Sequence, residues 1–207
     1  MHPNPTFRGT PDTLSLAFAR DRAFGVLAVS CDEAPLLSHV PFLLSGDGSH
    51  ADLHLVRSNP ISRVVKDGVS ARLVISGADG YVSPDWYGLG PDQVPTWNYV
   101  AVHLTGRLVP LPVEELPDLL ARQSDFFEDR LPKAPWRMDK LAEDTRAKLM
   151  RMILPFRLHI DSVDSTWKLG QNKPEEARLA AAGHVSGGIG HEIATLADLM
   201  KNPPEAD

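Results

Sequence analysis

The sequence predicts an α+β fold built around an antiparallel β-sheet or barrel. Short apolar segments with strand-like alternation dominate the first half of the chain, and segments with helical spacing are concentrated in the second half. The two kinds of segment do not alternate regularly, which disfavours a doubly wound parallel sheet. The chain has 207 residues, which is enough for one domain with its own apolar core.

The first predicted elements are a helix and a set of antiparallel strands. A Thr-Pro-Asp start signal precedes apolar residues that predict a short amphipathic helix over residues 12–22. Residues 23–30 and 36–44 are rich in Val, Leu and Phe, and the five residues between them have the length of a hairpin turn. Alternation of Leu with polar residues over 51–56 predicts a third, half-buried strand.

The middle of the chain predicts a short helix followed by longer strands. Ser58-Asn59-Pro60 is a helix start signal, because Ser or Asn caps free N–H groups and proline suits the first turn. Strands are predicted over 69–76 and 96–109, joined by a long segment of the kind that often carries function. Residues 156–162 alternate most clearly and predict a half-exposed strand.

Helices dominate the rest of the chain. Apolar residues near helical spacing predict two helices within residues 113–153, inserted between the last two strands. Capping, proline and acidic signals at 172–176 predict a helix to about Ala182, and a final helix covers 192–200. We therefore expect one domain over the whole chain, with a helical insertion at 113–153 and C-terminal helices at 174–201.

The charge balance bears on nucleic-acid binding. The chain has 21 Lys and Arg against 27 Asp and Glu, a formal net charge of −6, so no global positive field attracts phosphate backbones. The best basic segment lies around Arg137, Lys140, Arg146, Lys148 and Arg151, and acidic residues interrupt it. A mixed, solvated helix is favoured over a DNA-reading one, and direct DNA binding is doubtful.

The cysteine count and the apolar runs bear on the compartment. Cys31 is the only cysteine, which excludes intramolecular disulfides and multi-cysteine metal sites and fits a reducing environment. The first ten residues contain two prolines and no apolar core of a signal peptide. No apolar run approaches the roughly 20 residues of a transmembrane helix. We expect a cytoplasmic protein that does not enter the membrane.

Two motifs that suggest chemistry have simpler interpretations. His50 and His54 leave the same face of a strand, but a metal site needs a third ligand that the spacing does not name, so a surface pair is favoured. The glycines of residues 183–190 lack the preceding strand and the lysine of a nucleotide loop, so they indicate a helix break. No nucleophile motif is present, and catalytic residues are unknown.

Aromatic residues beside amides and lysines are a stronger signal. Residues 81–87, 94–99 and 167–173 hold three of the four tryptophans and all three tyrosines. Such groups suit a planar anionic ligand, since stacking holds a ring while Asn, Gln and Lys satisfy its polar edge and phosphate. Flavin mononucleotide (FMN) meets that description. The alternative is that these tryptophans are core or interface anchors.

Five segments in order along the chain support the flavin interpretation. They are His39-Val-Pro-Phe-Leu-Leu44, Arg57-Ser-Asn-Pro60, Tyr81-Val-Ser-Pro-Asp-Trp-Tyr87, Val94-Pro-Thr-Trp-Asn-Tyr99 and Trp167-Lys-Leu-Gly-Gln-Asn-Lys173. They resemble the signature blocks of the PaiB-like negative transcriptional regulators, an FMN-binding group with the pyridoxamine-phosphate-oxidase-like split-barrel fold. The resemblance covers about residues 23–174. Two departures are Ile61-Ser62, where a polar residue and an aromatic are usual, and Gly170, where serine is common.

The resemblance implies an antiparallel split β-barrel with peripheral helices that forms a homodimer and binds FMN between its subunits. One subunit would contribute backbone contacts from Val40 and Pro41, and would place Arg57, Ser58 and Asn59 near the phosphate or ribityl chain. Its partner would contribute Trp97, Asn98, Lys168, Gln171 and Lys173. The free N–H groups at the helix start near Pro60 are an independent physical reason to expect an anion there.

The implied function is that of a dimeric, flavin-dependent regulator or sensor. The alternative is an FMN-dependent oxidoreductase or flavin reductase acting on a small molecule, in which FMN performs the electron transfer. A further alternative is a dimeric binding protein whose flavin pocket is degenerate. The fold by itself does not decide among these functions.

Overall fold

The computed structural model describes residues 1–32 and 34–205 and has an α+β fold. The strands are β1 (Phe24–Val29), β2 (Leu36–Leu44), β3 (His50–Val56), β4 (Val69–Val82), β5 (Thr96–Pro110), β6 (Ile153–Lys168) and β7 (Gly190–His191). The α-helices are α1 (Asp12–Arg22), α2 (Pro60–Val64), α3 (Leu116–Glu128), α4 (Glu143–Met150), α5 (Glu175–Val185) and α6 (Ile193–Lys201). Single 3-10 turns occupy Pro5–Phe7, Pro84–Tyr87, Val113–Glu115 and Met138–Lys140.

The strands form a closed antiparallel barrel. Their order is β1-β2-β3-β6-β5-β4-β7, and β1 also pairs with β4, so that six of the strands close on themselves. The pairing of β1 with β2 confirms the predicted hairpin, whose turn includes position 33, outside the described residues. The predicted α+β class and antiparallel barrel with peripheral helices are confirmed.

The chain divides into two compact units, each assembled from separate segments. The first unit comprises Met1–Phe18, Ile75–His103 and Val163–Asp207, and the second comprises Ala19–Val74 and Leu104–Ser162. The organisation of the whole chain as one domain stays a prediction. Within the described part of the chain, no helix is long and apolar enough to span a bilayer.

The second unit has an alternating apolar core and one buried ion-pair network. Strands β3 and β6 pair from His50 with His159 to Val56 with Ile153. Apolar side chains on the inner faces are fully buried, including Leu27, Phe42, Leu53, Leu73, Phe156 and Leu158. The carboxylate of Asp52 is also buried, and it accepts hydrogen bonds from Arg157 of β6 and Arg122 of α3.

The core of the first unit packs its C-terminal helices against strands. Its buried residues include Val82, Tyr87, Val100, Trp167, Leu169, Ala181 and Leu196. Two glycines in β4 permit this packing. A Cβ atom at Gly77 would lie 2.8 Å from the Phe18 ring, and one at Gly80 would lie 2.9 Å from Leu196 Cδ2.

Several elements differ from their predicted lengths. The predicted strand over 69–76 continues to Val82, because Gly77 and Gly80 serve close packing and do not form a turn. The predicted strand over 156–162 extends over Ile153–Lys168. Helix α2 begins at Pro60, as its start signal predicts, and ends at Val64. The glycine-rich stretch after α5 contains β7, which pairs with Asp79 and Gly80 of β4.

Candidate functional site

The two predicted sets of cofactor-binding residues fall in different units. Val40, Pro41, Arg57, Ser58 and Asn59 belong to the second unit. Trp97, Asn98, Lys168, Gln171 and Lys173 belong to the first. The packing within each unit therefore positions the set of residues that the unit contains.

Strand β2 changes partner at the position of the first set. Its residues from Leu36 to Pro41 pair with β1, and those from Phe42 to Leu44 pair with β3. The side chain of Val40 is buried, so the backbone is the part of this residue that is suited to contact a ligand. Pro41 has no N–H and offers a carbonyl oxygen alone.

The turn after β3 is fixed by side-chain hydrogen bonds. Asn59 Oδ1 accepts from the Ile61 N–H at 2.9 Å, and Asn59 Nδ2 donates to Ser38 Oγ at 3.0 Å. Arg57 Nε donates to the Arg151 carbonyl at 2.6 Å. The side chains of Arg57 and Ser58 are exposed. Asn59 is thus a cap and strand tether, and Arg57 and Ser58 are the accessible polar groups.

The short helix α2 offers less to an anion than the sequence predicts. It has five residues, and the Ile61 N–H is already bonded to the Asn59 cap. Partial charge at a helix terminus grows from many aligned peptide dipoles, and five residues supply few. An anion near this turn therefore depends on the Arg57 guanidinium more than on the helix.

A cavity in the first unit brings together three residues of the second set. Its volume is about 250 Å³, and its lining includes Asn98, Lys168 and Lys173 with Phe7, Tyr87 and Thr96. These residues come from the N-terminal segment, the turn after β4, the start of β5, the end of β6 and the loop that follows β6. The folded chain thus places an amide, two cations and two aromatic rings around one space.

Asn98 has a hydrogen-bonding capacity that the protein does not satisfy. Asn98 is fully buried, and its Nδ2 donates to the Met200 thioether at 3.5 Å. Its Oδ1 is buried without a hydrogen-bond partner among the described residues. A thioether is a weak acceptor, and an unpaired buried oxygen costs about 1–3 kcal/mol. A ligand that donates a hydrogen bond to the Asn98 oxygen would remove this free-energy cost.

The two lysines of the cavity lack counter-ions. Lys168 Nζ donates to Thr96 Oγ1 and lies 5.8 Å from the centre of the Phe7 ring. Lys173 Nζ donates to Gln93 Oε1 at 2.6 Å. Partial burial of the Lys168 ammonium lowers its pKa. Neither lysine forms an ion pair within residues 1–32 and 34–205, so the cavity is suited to an anion.

Trp97 and Gln171 stand outside this cavity. Trp97 alternates with Asn98 along β5, is 43% exposed, and donates its indole N–H to Asp79 at 3.0 Å. Gln171 uses both ends of its amide within its own loop, accepting from the Leu169 N–H and donating to the Trp167 carbonyl. Trp97 thus presents an exposed ring on the other face of β5, and Gln171 shapes the loop that carries the lysines.

Gly170 has a conformational reason to depart from the usual serine. Its φ is +87°, in the left-handed region that glycine adopts without strain. A Cβ atom there would lie 3.8 Å from Asn98 Nδ2, which is ordinary contact. The backbone conformation, and not lack of space, favours glycine at this position.

The N-terminal segment is a part of the cavity that sequence reasoning missed. The His2 N–H donates to Thr166 Oγ1 at 3.1 Å, across 164 residues of sequence. Asn4 caps the following 3-10 turn by accepting from the Thr6 N–H at 3.0 Å, and this turn places Phe7 against the cavity. The only local signal was Asn4-Pro5, the same Asn-Pro start that occurs at residues 59–60.

His50 and His54 do not form the predicted exposed pair. His54 is half-buried, and its Nδ1 is buried without a partner in the described part of the chain. Burial lowers the pKa of His54, although a hydrogen bond with Gln123 opposes this effect. The described residues contain no group of three or more His, Cys, Asp or Glu side chains placed to hold a metal ion.

A comparison with protein-family models places the chain in a family. The family model described as "Putative FMN-binding domain" matches residues 1–162, more than three quarters of the chain. The chain belongs to this FMN-binding family. The match includes Asn98 and the whole first set, and the C-terminal lysines lie beyond it.

Individual relatives extend the similarity beyond the matched segment. The chain is 24% identical over 187 residues to "Protease synthase and sporulation protein PAI 2" of Bacillus subtilis, covering 89% of each chain. Among solved structures, it is similar to the FAD and haem binding protein of Mycobacterium smegmatis, with a TM-score of 0.57, 18% identity, and coverage of 77% of this chain and 72% of that one. A flavocytochrome of Azotobacter vinelandii gives a TM-score of 0.54, 15% identity, and coverage of 75% and 67%. These structural similarities show the barrel fold.

The groups in the first unit fit FMN. A flavin ring presents an N–H donor and carbonyl acceptors at its edge, and its ribityl chain ends in a phosphate dianion. The unpaired Oδ1 of Asn98 requires a donor, and the ammonium groups of Lys168 and Lys173 require an anion. FMN carries both a ring-edge N–H donor and an anionic phosphate, so it can meet either requirement.

Proposed function

We propose that the protein is a homodimeric, FMN-binding regulator or sensor of the PaiB-like type. The observation that carries the proposal is the fully buried Asn98, whose Oδ1 is unpaired beside two lysines without counter-ions. An unpaired buried oxygen lowers the stability of the folded protein, so we expect one where a bound ligand supplies its hydrogen-bond donor. The family membership and the five signature blocks support FMN as that ligand.

In the proposed site, the two sets of residues come from different subunits. The exposed Arg57 and Ser58, with the β2 backbone at Val40 and Pro41, would bind from one protomer. Asn98, Lys168 and Lys173 would bind from its partner, with the Asn98 amide oxygen accepting a hydrogen bond from the ring edge. FMN, when bound, supplies the redox chemistry, while these residues orient it and balance its charge.

The regulatory role is supported by the signature blocks and by the Bacillus subtilis relative, whose name refers to protease synthesis and sporulation. We also propose a cytoplasmic location, because the single cysteine, Cys31, is free and exposed, as suits a reducing compartment.

The visible spectrum of the purified protein tests this function. We expect flavin absorbance that persists through gel filtration and does not bleach at catalytic rates when NADH or NADPH is added. Rapid, repeated bleaching in air would instead identify a flavin reductase or oxidoreductase. Absence of retained flavin, together with no binding of added FMN, would contradict the proposal.

We predict that the protein is a homodimer in solution. The accessible groups of the two sets lie in separate units, and a cofactor between protomers can use both. Light scattering at micromolar concentration is expected to report twice the chain mass of 22.7 kDa. A monomer that retains stoichiometric FMN would contradict this arrangement.

We predict that the protein alone does not bind DNA tightly at physiological salt. The net charge is −6, and the basic residues of α4 share their helix with Glu143 and Asp144, so few phosphates are contacted. A mobility shift with the protein's own upstream region at about 150 mM salt, with and without FMN, measures this. The prediction fails if nanomolar, competitor-resistant binding occurs and disappears on charge reversal at Arg146, Lys148 and Arg151.

A further inference from the structure

The helical insertion contains an apolar cavity that the proposed cofactor site does not use. It lies within the second unit among α3, α4 and the start of β6, and its volume is about 170 Å³. Its apolar lining includes Leu120, Trp136, Leu141, Met150 and Ile153. These residues are half-buried, so the cavity is open to solvent.

The few polar groups at this cavity include two donors that the protein leaves unused. The half-buried Arg146 of α4 lines the cavity, and its guanidinium forms no ion pair within the described part of the chain. The indole N–H of Trp136 likewise has no acceptor there. Glu143 lines an adjoining groove with Arg146 without pairing with it. The hydroxyl of Ser124 completes the polar lining.

Other arginines of the helical insertion form ion pairs with carboxylates. Arg122, Arg130 and Arg137 of the same insertion each pair with at least one aspartate. Arg146 lines the apolar cavity without such a pair, and an anion at the cavity mouth can accept its hydrogen bonds. A carboxylate carries the charge opposite to the guanidinium and can accept hydrogen bonds from both a guanidinium and an indole N–H.

The volume restricts the rest of the ligand. An enclosed apolar cavity of about 150 Å³ is large enough to hold one benzene molecule. A cavity of about 170 Å³ therefore accommodates one ring or a short alkyl chain, with the charged group at its mouth. Nucleotides and flavins are too large for this space.

We propose that this cavity binds a small carboxylate that carries an aromatic ring or a short alkyl chain. The apolar part lies among the side chains of the insertion, and Arg146 and Trp136 donate hydrogen bonds to the carboxylate. This site would give the protein a second ligand, independent of FMN. A regulator with such a site responds to a small organic acid.

Calorimetric titration of the full-length protein with phenylacetate tests this proposal. We expect one site per chain, and we expect 2-phenylethanol, an uncharged probe of similar size, to bind at least about tenfold more weakly. Arg146→Gln is expected to weaken phenylacetate to the level of the uncharged probe. Lys148→Gln, which removes an exposed charge from the same helix, is expected to leave the affinity unchanged.

A second variant tests the role of the cavity volume separately from the role of the Arg146 charge. Leu141→Trp fills the space and is expected to abolish binding of both probes, while thermal unfolding confirms that the variant is folded. The proposal is overturned if phenylacetate does not bind at millimolar concentration, if both probes bind equally, or if Arg146→Gln and Lys148→Gln behave alike. Retained FMN absorbance in every titration shows that the acid does not act at the flavin site.

Discussion

Arg157→Met is expected to lower the free energy of unfolding by up to about 3–5 kcal/mol, the cost of removing one partner from a buried ion pair. The Asp52 side chain is 3% exposed, and Arg157 donates to it from Nε at 2.7 Å and from a terminal nitrogen at 3.0 Å. Removing the guanidinium leaves the carboxylate with Arg122 alone, at 3.3 Å. Urea denaturation of the two proteins measures the difference.

The matched control is Arg122→Met, which removes a cation from the same carboxylate. The Arg122 side chain is 47% exposed, and it also pairs with the exposed Asp118. Solvent-exposed pairs contribute about 0–1 kcal/mol, so this variant is expected to lose much less stability. Equal losses in the two variants would mean that the burial of the pair does not govern its energy.

The same network predicts a dependence on pH. Burial by itself raises the pKa of Asp52, but hydrogen bonds and charges from Arg157 and Arg122 outweigh it and bring the pKa below its ordinary value of 3.8. A carboxyl whose pKa is lowered by folding stabilises the protein above its unfolded pKa. That stability is lost as the pH falls through the folded pKa.

In Arg157→Met, the hydrogen bonds and charge of Arg157 no longer oppose the effect of burial on Asp52. The pKa of Asp52 in the folded variant is therefore higher than in the folded wild type. The variant therefore gains from protonation of this carboxyl at a pH where the wild type still holds it ionised. The difference in unfolding free energy between the two proteins is expected to shrink as the pH falls below about 4. A difference that stays constant from pH 7 to acid would exclude Asp52 as its origin.

The barrel strands could be predicted where turn signals bound them on both sides. Strand β2 matches its predicted range of 36–44, because Pro35 precedes it and a polar, glycine-rich turn follows. The predicted range of strand β4 ends at residue 76, because Gly77 and Gly80 have the local pattern of a turn. Their actual role depends on Phe18 and Leu196, which are distant in sequence and cannot be inferred from local pattern.

Strand β6 illustrates a second limit. Its first residues follow α4 directly and continue the apolar spacing of the predicted helix, so the change from helix to strand at Ile153 has no local marker. Its later residues, 161–165, are mostly polar, which hides the alternation. Pairing with β3 decides the conformation of the first part, and pairing partners are not visible in a single sequence.

The candidate site was predictable in its residue types but not in its full composition. Resemblance to family blocks selected Asn98 and the two lysines, and the fold brings these three to one cavity. The aromatic Phe7 was missed because its position follows from a hydrogen bond between His2 and Thr166. The same resemblance selects Trp97, but adjacent strand residues face opposite sides, and Trp97 does not line the cavity.

Asn98→Leu is expected to weaken FMN binding by at least about tenfold, since it removes a buried acceptor that a flavin donor would otherwise satisfy. Leucine has the same branching at Cγ as asparagine and is larger, and the cavity that Asn98 lines gives the added volume room. In the absence of FMN the same substitution removes an unpaired buried oxygen, and the variant is therefore expected to be as stable as the wild type or more stable.

These opposite directions distinguish a ligand-binding role from a structural one. Flavin fluorescence quenching measures affinity, and thermal unfolding of the apoprotein measures stability. Asn202→Leu, which makes the same change at an exposed residue of the same unit, serves as the control and is expected to leave FMN affinity unchanged. If Asn98→Leu lowers the apoprotein's stability and leaves FMN affinity unchanged, Asn98 acts in packing alone. The flavin must then depend on other residues.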